Sequence, residues 1–304
     1  MTAAAGRWPR WVAEGTGHIV EDTIDGYRLL NLMMQGQTSQ VWQVVEISSG
    51  RHFALKLLLP ENTRSPVHRR FLFHEAHVGL SLRHPNVIRV VKLVEDKDNP
   101  YIIMEFFPSQ NLKLRLMRKQ EIIKERAHSI IEQAAAGLAH IGDKGWVHRD
   151  VKPDNILVNS AAEVRIIDFA LGQRIAKQTF FSRLFRKRGK TMGTRSYMSP
   201  EQIHGLPLDQ RADVYSFGAT LYELVTGRPP FRANSPGELL HKHLHERPIS
   251  PVIHNPEVTQ EFADLIMRML AKKREERPRD FHEFLVLFRS MRVYQSDKLE
   301  KSER

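Results

Sequence analysis

At Met104 the chain changes character, and that change limits the fold more than any other feature. From Tyr27 to about Met104 the signals are mostly strand-like. Val41-Trp42-Gln43-Val44-Val45 and His52-Phe53-Ala54-Leu55-Lys56-Leu57 are short β-rich runs, and Ser48-Ser49-Gly50 between them is a hairpin-turn signal. One helical stretch interrupts them, from Pro66 to Leu82, and the loop His84-Pro85-Asn86 stops it. Beyond Met104 long amphipathic patterns take over, such as Glu125 to Lys144 and Asp213 to Thr226, joined by Gly/Pro-rich loops. A small β-rich part with one helix, followed by a larger mainly helical part, predicts an α+β protein of two lobes with a cleft between them.

The densest chemistry lies in His148-Arg149-Asp150-Val151-Lys152-Pro153-Asp154-Asn155. An Asp, a Lys two residues on and an Asn five residues on place a base, a phosphate-binding cation and a metal ligand in one tight loop. Phosphoryl transfer needs that set, because its catalysis is mostly positioning and charge neutralisation. Thirteen residues after Asn155 comes Asp168-Phe169-Ala170, a second hard-cation ligand preceded by the apolar run Val164 to Ile167. Asn155 and Asp168 together suit magnesium, which takes few protein ligands and keeps phosphate oxygens in its shell.

These motifs, in this order, resemble those of the eukaryotic-type (Hanks-type) serine/threonine protein kinases. The resemblance covers residues 27 to 290 and implies the two-lobed kinase fold, an N-lobe over 27–105 and a C-lobe over 106–290, flanked by a flexible extension (1–26) and a polar tail (291–304). It implies ATP and Mg²⁺ as cofactors and a protein Ser or Thr hydroxyl as acceptor. By the same resemblance Phe53-Ala54-Leu55-Lys56 is the strand whose Lys56 holds the α- and β-phosphates, and Glu75 is its partner on the helix. Met104-Glu105-Phe106-Phe107 is similar to the hinge, with Met104 as gatekeeper and the backbone of Glu105 and Phe107 facing adenine; Val41, Ala54 and Leu157 would sandwich the ring. Asp150 matches the base, Lys152 the cation at the γ-phosphate, and Asn155 and Asp168 the metal ligands. Glu201 of Ser199-Pro200-Glu201 would pair with Arg277, and Asp213 would anchor the backbone of the catalytic loop. Lys152, together with Thr194 in Gly193-Thr194-Arg195-Ser196-Tyr197, points to the serine/threonine branch, and Phe231 to His245 is more similar to bacterial members than to animal ones.

Three departures stand against this pattern. Where the family has G-x-G-x-x-G-x-V, this chain has Met34, Gly36, Ser39 and Val41, so only the middle glycine remains. Glycine lets backbone approach phosphate closely, and the cover over ATP is expected to be stiffer or displaced. Ala170 replaces the glycine of D-F-G, which predicts a restricted loop and a slightly misplaced Asp168. Gly79 stands one helical turn beyond Glu75, where an apolar residue usually stacks on Phe169. Every charged catalytic group is nonetheless present, so an active enzyme is expected, with a pseudokinase acting as a nucleotide-binding allosteric scaffold as the alternative. A small-molecule kinase on the same fold fits the activation segment less well.

Arg149, just before Asp150, implies control by a phosphate on the activation loop, with Thr191 the first candidate, Thr179 the second and Ser182 available, and an upstream kinase as partner. The block Arg183 to Lys190 reads either as a docking site for an acidic partner or brake, or as a solvated loop. The formal net charge of +11 fits polyanionic partners in general, but no nucleic-acid motif appears and no nucleic acid is expected. The 304 residues, 41% hydrophobic and 27% charged, describe a globular chain with no apolar run long enough for a membrane helix and no signal-peptide core at Met1 to Gly17. A cytoplasmic location is therefore expected. The absence of cysteine rules out disulfides and thiolate zinc sites. His241, His243 and His245 read as surface histidines, His74-Glu75-Ala76-His77 lacks the spacing of a metal site, and His148 reads as packed structure. Trp8 and Trp11 offer a way to dock the extension.

Overall fold

The computed structural model describes residues 23–175 and 195–297. Trp8 and Trp11, the loop candidates Thr179, Ser182, Thr191 and Thr194, the block Arg183 to Lys190 and the last residues of the tail lie outside the described residues. The chain forms two compact units, one from residues up to 83 together with 88–108, the other from 84–87 together with 109 onward.

The first unit is an antiparallel sheet of β1 (Thr23–Ile24), β2 (Tyr27–Gln35), β3 (Ser39–Glu46), β4 (His52–Leu58), β5 (Val90–Val94) and β6 (Tyr101–Glu105), in the order β1-β2-β3-β4-β6-β5. Alternation sets its two faces. Phe53, Leu55 and Leu57 of β4 join Trp42, Val44, Tyr101 and Ile103 in a buried cluster on one side. The other side carries Leu58 and Ile102, which pack with Leu72 and Ala76 of helix α1 (Pro66–Leu80). The Ser48-Ser49-Gly50 turn forms as the sequence predicts: the Glu46 carbonyl accepts from Gly50 N at 2.8 Å, and Gly50 takes φ +69°, where a side chain is strained. Helix α1 starts on the Ser65 cap with Pro66 in its first turn, where a missing N–H costs nothing.

The second unit is mainly helical. It contains β7 (Gln110–Asn111), α2 (Leu112–Met117), α3 (Glu121–Glu125), α4 (Ala127–Asp143), β8 (Trp146–Val147), β9 (Ile156–Val158), β10 (Val164–Ile166) and β11 (Gln173–Arg174). Then follow α5 (Pro200–His204), α6 (Gln210–Thr226), α7 (Pro236–His245), α8 (Pro251–His254), α9 (Gln260–Met269) and α10 (Phe281–Phe288). The strands make two small antiparallel sheets, β10-β9-β7 and β11-β8.

Helix α6 corrects one expectation from the sequence. It is buried on every side from Ala212 to Val225, not amphipathic, because α9 packs on it and Phe217 meets Phe281 and Phe284 of α10 edge to face. The stretch read as one helix from Glu125 divides at Arg126 into α3 and α4. Residues 84–87 belong to the second unit. The Asn86 carbonyl accepts from Ile166 N at 2.8 Å, while its Nδ2 donates to Gln133 Oε1 at 3.1 Å and to the Val164 carbonyl at 3.2 Å. Gly137 of α4 makes room for this, since a Cβ there would lie 2.7 Å from the Asn86 carbonyl oxygen.

Candidate active site

In the first unit the register sets Val41 of β3 opposite Lys56 of β4, and Ala54 of β4 opposite Met104 of β6. Directly paired residues share a face, so Val41, Ala54, Lys56 and Met104 all stand on the side of the sheet that α1 covers. There Lys56 Nζ meets Glu75 of α1, donating to Oε1 at 2.7 Å and Oε2 at 2.6 Å. The Glu75 side chain is 7% exposed and that of Lys56 16%. A cation held by both carboxylate oxygens in a place with little water has few other positions to take, so it is preorganised for a phosphate. Gly36 sits in the turn after β2, its N–H donating to the Ser39 carbonyl at 2.9 Å. Its φ is not in the left-handed region, so the turn uses the missing Cβ for space: a Cβ would lie 3.3 Å from that carbonyl oxygen. Glu105 N donates to the Arg89 carbonyl at 2.9 Å, and Phe107 is buried.

In the second unit the loop after β8 is pinned from below. Asp213 near the start of α6 is 3% exposed, and its two oxygens accept the N–H groups of His148 at 2.6 Å and Arg149 at 2.8 Å. Burial pushes its carboxyl up to about 6, against the downward pull of His148 and Arg149. Arg149 itself takes φ +69°, a strained position for a side chain, and the two bonds to Asp213 hold it there. His148 is buried, as its sequence context suggests. Its Nδ1 accepts from Asp150 N at 3.3 Å, its Nε2 donates to the Ile167 carbonyl at 3.0 Å, and its ring stands edge-on to Phe169 at 5.8 Å. The protonated nitrogen is thereby fixed as Nε2.

Asp150 comes out of this turn 9% exposed. Its Oδ2 accepts from Lys152 Nζ at 2.7 Å and from Asn155 Nδ2 at 3.0 Å, and the same amide donates to the Asp150 carbonyl at 2.8 Å. Burial draws the Lys152 ammonium down, but Asp150 and then Asp168 outweigh it, so Lys152 stays cationic well above neutral pH. With Nδ2 committed to Asp150, the Asn155 amide is left its oxygen for a cation. Asp168 follows β10 with φ +68°, and its Oδ1 accepts from Ala170 N at 3.3 Å. The left-handed residue in this turn is Asp168, not Ala170, so the alanine adopts this conformation without left-handed backbone strain. Leu157 lies on β9, half-buried, one residue beyond Ile156.

The scaffold pair also forms. Arg277 spends all five of its N–H donors: two on Glu201 at 2.7 and 3.1 Å, and one each on the carbonyls of Ala271, Arg211 and Lys272. Both partners are buried, and breaking such a pair costs roughly 3–5 kcal/mol. Helix α5 reaches the loop through Gln202 Nε2, which donates to the Arg149 carbonyl at 2.9 Å. One expectation fails here. His241 and His245 are exposed with rings 4.6 Å apart, but His243 is fully buried, because the helix turns it to the face of Leu239. Sequence reading also misses a polar triad in which Tyr197 and Lys113 both donate to Glu223. Its members stand 26 and 110 positions from the glutamate, and no local motif joins them. Among the described residues no three His, Asp or Glu side chains converge as a metal site, and no helix is long and apolar enough to cross a membrane.

Residues 27–285 match the family model of the protein kinase domain. The chain is 31% identical over 264 residues to a probable serine/threonine-protein kinase of Streptomyces coelicolor, covering 86% of this chain and 39% of that protein. It is 31% identical over 257 residues to the serine/threonine-protein kinase PknB of Mycobacterium leprae, covering 83% and 41%. A third relative, the serine/threonine-protein kinase pkn2 of Myxococcus xanthus, is 32% identical over 267 residues, covering 86% and 32%. The chain thus spans about two fifths or less of the length of these bacterial relatives.

Proposed function

This chain belongs to the protein kinase family, and we propose that it transfers the γ-phosphoryl group of ATP to serine and threonine hydroxyls of other proteins. The observation that carries this reading is the Asp150 carboxylate, nearly buried and bracketed by Lys152 and Asn155 within hydrogen-bond distance. In the proposed step the substrate oxygen bonds to the γ-phosphorus as the bond to the β-phosphate oxygen breaks. Asp150 orients the hydroxyl and takes its proton, and ADP leaves. Lys152 keeps a positive charge beside the transferring group, and Lys56, held by Glu75, binds the α- and β-phosphates. Gly36 covers the phosphates, while Val41, Ala54, Met104, Glu105, Phe107 and Leu157 take the adenine. The Asn155 amide oxygen and the Asp168 carboxylate are hard donors that fit Mg²⁺, which supplies neutralisation of phosphate charge when bound.

This reading places the work on the cytosolic side, where ATP is available. Phosphate on the loop, at Thr191 first and Thr179 second, would set activity through Arg149, and equal activity of phosphatase-treated and untreated protein would exclude that control. The decisive assay incubates the protein with γ-labelled ATP and Mg²⁺ beside Asp150→Asn and Asp168→Asn. Label on serine or threonine that falls at least about a hundredfold in both variants is the expected result. Nucleotide binding without transfer by the loop-phosphorylated chain would instead favour an allosteric scaffold, the reading to which the missing glycines at Met34 and Ser39 point.

A further inference from the structure

Toward its C-terminal end helix α7 presents two imidazoles to solvent, His241 and His245, four residues apart and so on one face. Their rings lie 4.6 Å apart, centre to centre, tilted by 49°. Apart from this contact, neither side chain has a hydrogen bond or an ion pair among the described residues. The helix beneath them is well fixed. Ser235 caps its start, Leu239 and His243 are buried on the opposite face, and the Tyr215 hydroxyl lies 2.9 Å from His243 Nδ1. Lys272 Nζ donates to the carbonyls of His243 at 2.8 Å and Lys242 at 3.3 Å, which secures the last turn. Lys242 points its own charge to Glu238 at 3.1 Å and to the Arg232 carbonyl at 3.0 Å.

Two imidazoles that share one ion at neighbouring positions, each through a nitrogen about 2.0–2.1 Å from it, have ring centres roughly 4.5–5 Å apart. The observed 4.6 Å meets that requirement. We propose that His241 and His245 form a chelating site for a divalent transition-metal ion, Cu²⁺ ahead of Ni²⁺ and Zn²⁺. Imidazole suits all three ions, and Cu²⁺ is bound most tightly of the series. No third His, Asp or Glu converges with the pair among the described residues, so the other coordination positions are left to water. The site is therefore an open, exchanging one, and its ion closes a ring across the last turn of α7. Its donors differ in kind from the hard oxygens of Asn155 and Asp168, which suit Mg²⁺. The inference goes beyond the kinase reading and stands independently of it.

The test titrates Cu²⁺ into the full chain, its His241→Gln and His245→Gln variants and the double variant, read by calorimetry. Wild type is expected to bind one ion more than the double variant does. Either single substitution is expected to weaken that step at least about tenfold, because a chelate needs both rings at once. Excess Mg²⁺ is expected to leave the curve unchanged, since a hard cation does not compete for imidazole. Four superimposable titrations overturn the proposal. So do single-variant losses that are each half of the double variant's, which is the behaviour of two independent surface histidines, and so does displacement by Mg²⁺. A second measurement needs no variant. Cu²⁺ should slow the carbethoxylation of His241 and His245 together in the wild-type chain, read by mass spectrometry of the peptide that carries them, and equal modification with and without the ion would also overturn the site.

Discussion

At His243 an imidazole is packed where its charged form has no water to meet. It is fully buried, with the Tyr215 hydroxyl 2.9 Å from Nδ1 and the Phe231 ring edge-on at 4.9 Å. Burial, and after it the Lys272 ammonium, lowers its pKa from 6.5 to about 3. The folded ring therefore stays neutral while an unfolded one protonates below about 6.5, so this site's stability is complete above that pH and lost as pH falls toward 3. The slope is about 1.4 kcal/mol per pH unit inside that window. In His243→Gln the fall in thermal midpoint between pH 7 and pH 4 should be visibly shallower than in wild type; an unchanged slope would show that the histidine is not what acid unfolds. At this scale the chain was legible where chemistry is local. Asp150, Lys152 and Asn155 share one turn, and their meeting there follows from spacing. Glu201 and Arg277, 76 positions apart, could be paired only through the family resemblance. Lys113 and Glu223 could not be paired at all, and the burial of His243 is a property of what packs on α7, which periodicity does not report.

Two glycines of α4 separate the demands of helix and fold. By propensity alone, alanine should stabilise either position by about 1 kcal/mol. At Gly137 the new Cβ would meet Ile166 Cγ1 at 3.1 Å and, at 2.7 Å, the Asn86 carbonyl oxygen, which cannot move without disturbing the bond from Ile166 N. At Gly142 the three nearest atoms would all belong to the amide end of the flexible Gln210 side chain, which can swing aside. Gly137→Ala should therefore lower stability by about 1–3 kcal/mol, while Gly142→Ala should be neutral or stabilising, as read from urea unfolding midpoints. Equal effects at both sites would mean that propensity, not the docking of Asn86, decides. Elements whose pattern repeats were readable: β3, β4 and α1 appear within a few residues of their expected bounds. The two-residue strands β7, β8 and β11 hold too little sequence to show a period. Helix α6 misled because a helix surrounded by protein has no polar face to alternate with.

Over the whole molecule the formal charge is +11, and a net charge of that size acts at long range. Association with an acidic protein substrate should weaken as salt shortens the screening length from about 14 Å at about 0.05 M to about 6 Å at about 0.3 M. The expected signature is a KM that rises several-fold with salt while kcat changes little; a KM indifferent to salt would mean that the charge faces away from substrate. At this scale the sequence showed the division near Met104 but not that the chain crosses between units three times, after Arg83, after Val87 and after Pro108. That stitching has a consequence for dissection. A fragment starting at Ser109 would omit Asn86, leaving Ile166 N without its partner, the Gln133 amide oxygen with one of its two donors, and the notch at Gly137 vacant. Nor would one nick at Arg83 free the earlier residues, since β4 stays zipped to β6 from the far side of the cut. The two units can be exchanged between relatives only as interleaved strings, so recombination that respects the fold needs three junctions and not one.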